Sequence, residues 1–192
     1  SKKKFQGKKD KILFLKFSNV RKVLSEVSFG LCKNKPQNLI AVTGTNGKSS
    51  IADFYFQILN LNKVKVASIG TLGIRTNKNK IKVKNTTLDP IKLGQIFISL
   101  KRKRIDNVIL EASSHGLKQN RLDGLVFNTG IFTNLSRDHL DYHKSYKDYL
   151  NSKLYLFKNL LKSKGDLIVD KDIPQFEKIR KISRKKRLKI ND

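Results

Sequence analysis

The segment running from Leu39 to Ser50, Leu-Ile-Ala-Val-Thr-Gly-Thr-Asn-Gly-Lys-Ser-Ser, constrains this chain more than any other. An apolar run stops at Gly44, turns through Asn46-Gly47, and opens into a helix-forming stretch that begins Lys48-Ser49-Ser50. Strand, glycine turn and helix in that order make a phosphate-binding loop. Glycines let successive backbone N–H groups converge on an anion, and the helix N-terminus adds partial positive charge. A lysine at this place reaches the β- and γ-phosphates, and the hydroxyl after it can hold Mg²⁺. The spacing G-x-x-G-K-S is shorter than the commoner G-x-x-x-x-G-K-[ST], so the loop is a variant. A nucleoside triphosphate is expected over Gly44, Thr45, Asn46, Gly47, Lys48, Ser49 and Ser50.

The pattern around the loop predicts an α/β fold: a mostly parallel wound sheet with helices on both faces and one small antiparallel hairpin. Strands are expected at 39–43, 64–70, 107–112, 127–133 and 166–170, and helices at 48–60, 91–103 and 145–162. The hairpin falls at 72–84, a polar loop with a short helix runs to 124, and residues 11–35 read as a mixed lead-in. Residues 1–10 read as a solvated, disordered tail. Ligands of such sheets collect at the carboxyl ends of strands. Three segments fall there: Gly44 to Ser50, Glu111 to His115, and Asn134 to His139.

Forty-two Lys and Arg against 15 Asp and Glu give a net charge of +27. In the linear sequence these cations are scattered, with clusters at the two ends and at Lys101 to Arg104, and no aromatic residues interleave with them as a single-strand platform would require. Nucleic acid is therefore not expected as the main partner, and the charge reads as a compositional habit that also attracts anionic substrates. A single cysteine, Cys32, excludes an internal disulfide and fits a reducing cytoplasm. No apolar run has the length of a membrane span. The chain begins with Ser and contains no Met, which reads as a processed or excised segment.

Glu111 directly follows the apolar run Asn107-Val-Ile-Leu110, where a nucleotide-binding sheet places an acid to hold Mg²⁺ or orient a phosphate. His139 lies just past another strand, between Asp138 and Asp141, which can fix its tautomer or help form a metal site. Lys153 falls on the buried edge of the stripe Tyr146, Tyr149, Leu150, Leu154, Phe157, Leu160, Leu161. It either snorkels to the rim or sits buried, and burial would depress its pKa and leave free amine able to react with CO₂.

Together the motifs Thr43-Gly-Thr-Asn-Gly-Lys-Ser-Ser50, Asn85-Thr-Thr-Leu-Asp-Pro90, Glu111-Ala-Ser-Ser-His-Gly-Leu-Lys-Gln-Asn-Arg121, Asn134-Leu-Ser-Arg-Asp-His-Leu-Asp-Tyr-His143 and Tyr149-Leu-Asn-Ser-Lys153 resemble the Mur ligases, and among them the branch that adds the third amino acid of the peptidoglycan stem. The loop alone would not separate them from folylpolyglutamate synthetases; the Asn-Thr-Thr and Ser-Ser-His-Gly-Leu motifs do. The departures keep the contact groups: Ser49 for Thr, Leu88 where Pro is common, and Lys118 and Asn120 within the Ser-Ser-His-Gly-Leu motif.

The resemblance implies an ATP-dependent amide ligase. Its substrates would be UDP-MurNAc-L-Ala-D-Glu and either meso-diaminopimelate or L-lysine, with ATP and two Mg²⁺ ions. Lys48, Glu111, His139 and Lys153 would be catalytic, with Ser49, Glu111, His139 and a CO₂-derived carbamate on Lys153 at the metals. Asn85, Thr86, Thr87, Ser113, Gln119 and Arg121 would hold the UDP-muramoyl dipeptide. The resemblance also implies a cytoplasmic monomer. Residues 1–35 would be a basic tail and remnant of a uridine-nucleotide domain, and residues 36–192 the central ATP-binding domain. The amino-acid domain would be absent and the segment inactive alone. The alternatives are another amide ligase of this superfamily, or a basic nucleic-acid- or membrane-binding nucleotide module.

Overall fold

The computed structural model describes residues 7–9, 12–136, 138 and 141–192. In chain order the elements are β1 (Gly7–Lys9), β2 (Ile12–Phe14), α1 (Val20–Leu31), β3 (Asn38–Thr43), α2 (Lys48–Leu61), β4 (Val66–Gly70), β5 (Gly73–Thr76) and β6 (Lys80–Ile81). They continue with α3 (Pro90–Arg102), β7 (Asn107–Glu111), α4 (Ser114–Lys118), β8 (Phe127–Phe132), α5 (Tyr146–Tyr155), β9 (Leu161–Val169), α6 (Phe176–Lys186) and β10 (Lys189–Asn191).

Among the described residues β3 to β10 form one sheet in the order β10-β9-β8-β3-β7-β4-β5-β6. The strands from β10 to β4 are parallel, and β5 and β6 add the antiparallel hairpin at one edge. The expected wound sheet is therefore the fold. Its reason lies in β3, which is apolar at every position from Leu39 to Val42 and is buried on both faces. Ile40 and Val42 pack under α2 with Ala52 and Ile109. Leu39 and Ala41 face the larger core, which includes Phe97 of α3 and Phe29 of α1.

After β3 the chain moves to β4 and back to β7 on one side, and β8 then starts the other side. The carboxyl ends of β3 and β8 thus flank the point where strand order reverses, which is where wound sheets bind ligands. Local signals set the helix starts. Asp89 caps α3 by accepting from Lys92 N, with Pro90 in the first turn, and Ser113 and Ser145 cap α4 and α5 in the same way.

Four stretches differ from the sequence reading. The lead-in contains α1, capped by Asn19, which packs Phe29 onto Phe97 with ring centroids 6.3 Å apart. Part of the expected disordered tail, Gly7–Lys9, pairs antiparallel with Ile12–Phe14. The helix expected at 145–162 ends at Tyr155, passes through a π-helical turn at Leu156–Leu160 and enters β9 at Leu161. Leu161 then pairs with Phe127 while Asp166 pairs with Thr129, so Lys162 to Gly165 form a bulge before the strand that was expected at 166. The apolar stripe that suggested a long helix is satisfied by the turn, because Leu156, Phe157 and Leu160 are all buried. Beyond residue 170 the charged run folds as α6 and β10, anchored by Ile179 and Ser183.

Candidate functional site

The loop between β3 and α2 is built by two glycines. Gly44 has φ +148° and Gly47 φ +81°, backbone that side chains rarely adopt, and a Cβ on Gly44 would fall on the Thr133 hydroxyl. The chain leaving β8 braces the loop: Asn134 O accepts from Thr45 N (3.0 Å), and its side-chain Oδ1 accepts from Asn46 N (3.0 Å). Thr133 Oγ1 donates to Asn46 O (2.6 Å). Lys48 folds back along the loop and donates to Gly44 O (2.9 Å) and Thr45 O (2.6 Å). Its pKa is lowered, chiefly by burial, with Glu111 and Asp138 opposing that shift.

Glu111, at the end of β7, is buried and held from three directions. Ser49 Oγ donates to its Oε2 (2.9 Å), Thr71 N to its Oε1 (2.8 Å), and Thr71 Oγ1 to its Oε2 (3.1 Å). The carboxylate lies so close to β4 that a Cβ on Gly70 would sit 2.5 Å from its Cγ and Cδ. We therefore expect Gly70→Ala to displace Glu111 from Ser49 and Thr71 and to cost about 1–3 kcal/mol in urea unfolding. Wild-type stability in that variant would mean that the carboxylate can move freely.

Lys153, on α5, is 1% exposed. Its ammonium donates to Gly44 O (2.6 Å) and lies 4.3 Å from the Tyr149 ring centroid. Burial, with the charge of Lys48 beside it, pushes its pKa down to about 7, against an upward pull from Asp138. Of the two alternatives for this side chain, burial is the one observed, and the amine meets the same loop carbonyl as Lys48.

The remaining expected residues line the same cleft, of about 430 Å³, together with Lys48, Ser49, Glu111 and Lys153: Asn85, Thr86, Thr87, Ser113, Gln119 and Arg121. Thr87 Oγ1 donates to Glu111 O (2.9 Å) and is the acceptor for Ser113 N (2.9 Å), so the segment after the hairpin is pinned to the end of β7. Arg121 presents its guanidinium from beyond α4, donating to Thr87 O (2.6 Å) and through Nε and Nη2 to Gln119 Oε1 (3.0 and 2.7 Å). His139 lies outside the described residues.

Three contributors escaped the sequence reading. Thr71 holds Glu111, and Tyr149 pairs its hydroxyl with Thr45 Oγ1 (3.1 Å). His143, also buried, has Nε2 3.0 Å from Ser114 Oγ and Nδ1 3.6 Å from Asp148 Oδ2, so it ties α5 to α4. Its pKa is lowered by burial first, then by Lys118 and His115, with Asp148 opposing, which leaves the imidazole neutral at pH 7. Thr71 had no signal beyond its place at a strand end. Tyr149 and His143 lay inside the quoted motifs, where their burial could have been suspected.

Oxygen donors at Ser49 and Glu111, beside a glycine cradle and a lysine, suit Mg²⁺ and phosphate. Among the described residues no three His, Cys, Asp or Glu side chains gather as a metal cluster.

Comparison with known proteins agrees with this fold. The chain is 39% identical over 172 residues to the UDP-N-acetylmuramoyl-L-alanyl-D-glutamate--2,6-diaminopimelate ligase of Rickettsia montanensis, an alignment covering 88% of this chain and 36% of the relative. This chain thus spans about a third of the length of that relative. A solved structure of a UDP-N-acetylmuramoyl-L-alanyl-D-glutamate--2,6-diaminopimelate ligase superposes with a TM-score of 0.79 at 31% identity, covering 90% of this chain and 36% of the other. A Mycobacterium tuberculosis folylpolyglutamate synthase complexed with ADP and AMPPCP shares the fold, with a TM-score of 0.69 over 91% of this chain and 46% of its own, at 13% identity. The family model of the Mur ligase middle domain matches residues 42–191, from the last apolar residue before the phosphate loop through to β10, and the chain belongs to that family.

Proposed function

We propose that this chain is the ATP-binding part of a ligase that joins an amino acid to UDP-MurNAc-L-Ala-D-Glu in peptidoglycan synthesis. The observation that carries the reading is the meeting, in one cleft, of the phosphate loop, the Ser49–Glu111 pair and the Thr87–Ser113–Arg121 wall. The diaminopimelate named for the relative makes that amino acid the first to test. Among the described residues no helix is long and apolar enough to cross a membrane, and the reading places the reaction in the cytoplasm.

In this reading the loop N–H groups and Lys48 hold the triphosphate, and Lys48 offsets charge on the γ-phosphoryl as it transfers. An oxygen of the D-glutamate carboxylate attacks the γ-phosphorus, the bond to ADP breaks, and an acyl phosphate forms. The amine of the incoming amino acid then adds to the acyl carbon and loses a proton, and inorganic phosphate leaves. Most of the acceleration comes from alignment of the two substrates. Arg121 and Gln119, with Asn85, Thr86, Thr87 and Ser113, would position the dipeptide end, a guanidinium fork being suited to a carboxylate.

Bound Mg²⁺ would neutralise charge between the β- and γ-phosphates. Ser49 and Glu111 would hold it, and His139 with Glu111 would serve a second ion. Lys153, in its free-amine form, would add through nitrogen to the carbon of CO₂ and lose a proton, turning a cation into a carbamate anion. The adjoining Lys48 favours that change of sign.

Calorimetric titration of ATP into the chain with and without Mg²⁺ tests the reading. Magnesium-dependent binding, strengthened by UDP-MurNAc-L-Ala-D-Glu and unaffected by a folate ending in glutamate, is the expected result. Absence of ATP binding by the folded chain would overturn it. Strengthening by the folate instead would place the cleft with the folylpolyglutamate synthases.

A further inference from the structure

The parallel sheet sorts the charges that look scattered in the sequence. All strands from β10 to β4 run the same way, so the connections entering them share one edge, opposite the cleft. Those connections carry Lys63 and Lys65 before β4, Lys103 and Arg104 before β7, and Lys162 and Lys164 in the bulge of β9, all exposed. Among the described residues the acids there are Asp106, paired with Lys101, Asp123, buried against Tyr155, and half-buried Asp166 directly after the bulge. At the other edge the acids collect instead: Glu111, Asp138, Asp141, Asp170 and Asp172 follow strands β7, β8 and β9.

Helix ends explain only part of this. α1, α2, α3 and α6 all finish at the basic edge, and each C-terminus carries roughly half a negative charge that cations stabilise. Lys35 Nζ serves that purpose on Phe29 O, and Lys186 Nζ bonds Leu161 O (both 3.0 Å). Of the six exposed cations named above, Lys63, Lys103 and Arg104 stand at the ends of α2 and α3, whereas Lys65, Lys162 and Lys164 do not, and among the described residues none is in an ion pair.

The same edge exposes large aliphatic side chains. Leu31 ends α1 and is 77% exposed, Leu61 ends α2 at 79%, and Val126 precedes β8 at 62%. Lys65, Lys78 and Lys103 also surround a hollow of about 400 Å³ with Ile105 in its lining. Among the described residues the exposed aromatic side chains are Phe14, Phe17, Phe54 and Tyr146, none of them on these connections. Bases need aromatic faces to stack on, whereas aliphatic side chains among lysines suit the boundary between headgroups and acyl chains.

We propose that this edge docks the chain on the surface of an anionic phospholipid bilayer. The cations sit at headgroup phosphates, and Leu31, Leu61 and Val126 enter the acyl boundary. The basic band runs from β4 to β9, about 19 Å at ordinary strand spacing, wide enough to meet several headgroups at once. The cleft then faces away from the membrane and stays open to soluble substrates.

Flotation with phosphatidylcholine vesicles, with and without phosphatidylglycerol, tests this. Binding should require phosphatidylglycerol and weaken as salt is raised. The fourfold variant Lys63→Gln, Lys65→Gln, Lys103→Gln, Arg104→Gln should weaken binding by roughly 10²- to 10³-fold. The variant Lys92→Gln, Lys144→Gln, Lys147→Gln, Lys171→Gln makes the same charge change at the cleft edge and should bind nearly as wild type. Leu31→Ser with Leu61→Ser should weaken the part of the binding that survives high salt. Equal loss in both fourfold variants would reduce the effect to net charge and overturn the proposal, as would equal binding to neutral vesicles. Displacement by duplex RNA, with no effect of the leucine changes, would assign the edge to nucleic acid instead.

Discussion

Lys48→Ala is expected to weaken Mg²⁺-dependent ATP binding by roughly 10²- to 10³-fold, the effect of removing one preorganised charge from a phosphate site. Without nucleotide the ammonium already donates to Gly44 O and Thr45 O, so it closes the loop on itself and is positioned before ligand arrives. Its loss leaves Thr45 O to water while Gly44 O keeps Lys153, and should cost only about 1 kcal/mol of stability. The comparison is therefore clean: calorimetry should show the large loss while urea unfolding shows a small one. Ser49→Thr keeps the hydroxyl that meets Glu111 and should bind ATP as wild type does. An unchanged Kd in Lys48→Ala, with the fold intact, would remove the loop from nucleotide binding.

The second large effect concerns Lys153 and pH. Its folded pKa is about 7, against an ordinary value of 10.5, and burial is the main cause. Between those two values the unfolded chain binds more protons than the folded one, so stability rises with pH through the window. The contribution is complete above the unfolded pKa and is lost as pH falls through the folded one. Its slope approaches about 1.4 kcal/mol per pH unit, or about 3–5 kcal/mol across the window.

Lys153→Met removes the titration and keeps the apolar volume. In CO₂-free buffer, urea unfolding of wild type and variant at pH 7 and pH 9.5 should show wild type gaining on the variant as pH rises. Parallel curves would mean that Lys153 is solvated in the folded state. With ¹³C-bicarbonate added, a carbamate carbon signal in wild type and its absence from Lys153→Met would locate the modification. A signal that persists in the variant would place it elsewhere.

Much of the fold was legible because its signals are local. Leu39 to Val42 is an uninterrupted apolar run of strand length, Asp89-Pro90 announces a helix start, and Gly44 and Gly47 stand where only glycine accepts the backbone without strain. The lead-in was harder. α1 shows itself as a helix through Phe29 and Cys32, whose burial depends on α3 lying alongside. The end of α5 was misread because a π-helical turn buries the same leucines that a longer helix would. In the site, residue identity and spacing singled out Lys48, Ser49 and Glu111, which the fold brings into one cleft. They could not predict Thr71, which acts only because β4 lies beside β7.

The sequence by itself determined the phosphate loop, the alternation of strands and helices, and the acid at the end of β7, since each depends on neighbours a few residues away. Tertiary structure alone decided three things. It brought Gly70 against Glu111, which pins the carboxylate where a side chain would displace it. It buried Lys153 beside Lys48, so that a common surface residue became an amine titrating near neutrality. It also brought Lys63, Lys65, Lys103, Arg104, Lys162 and Lys164 to one edge, because parallel strands bring all their entering connections to the same side. Charges far apart in the chain become neighbours only through strand direction, a property that no local stretch of sequence contains.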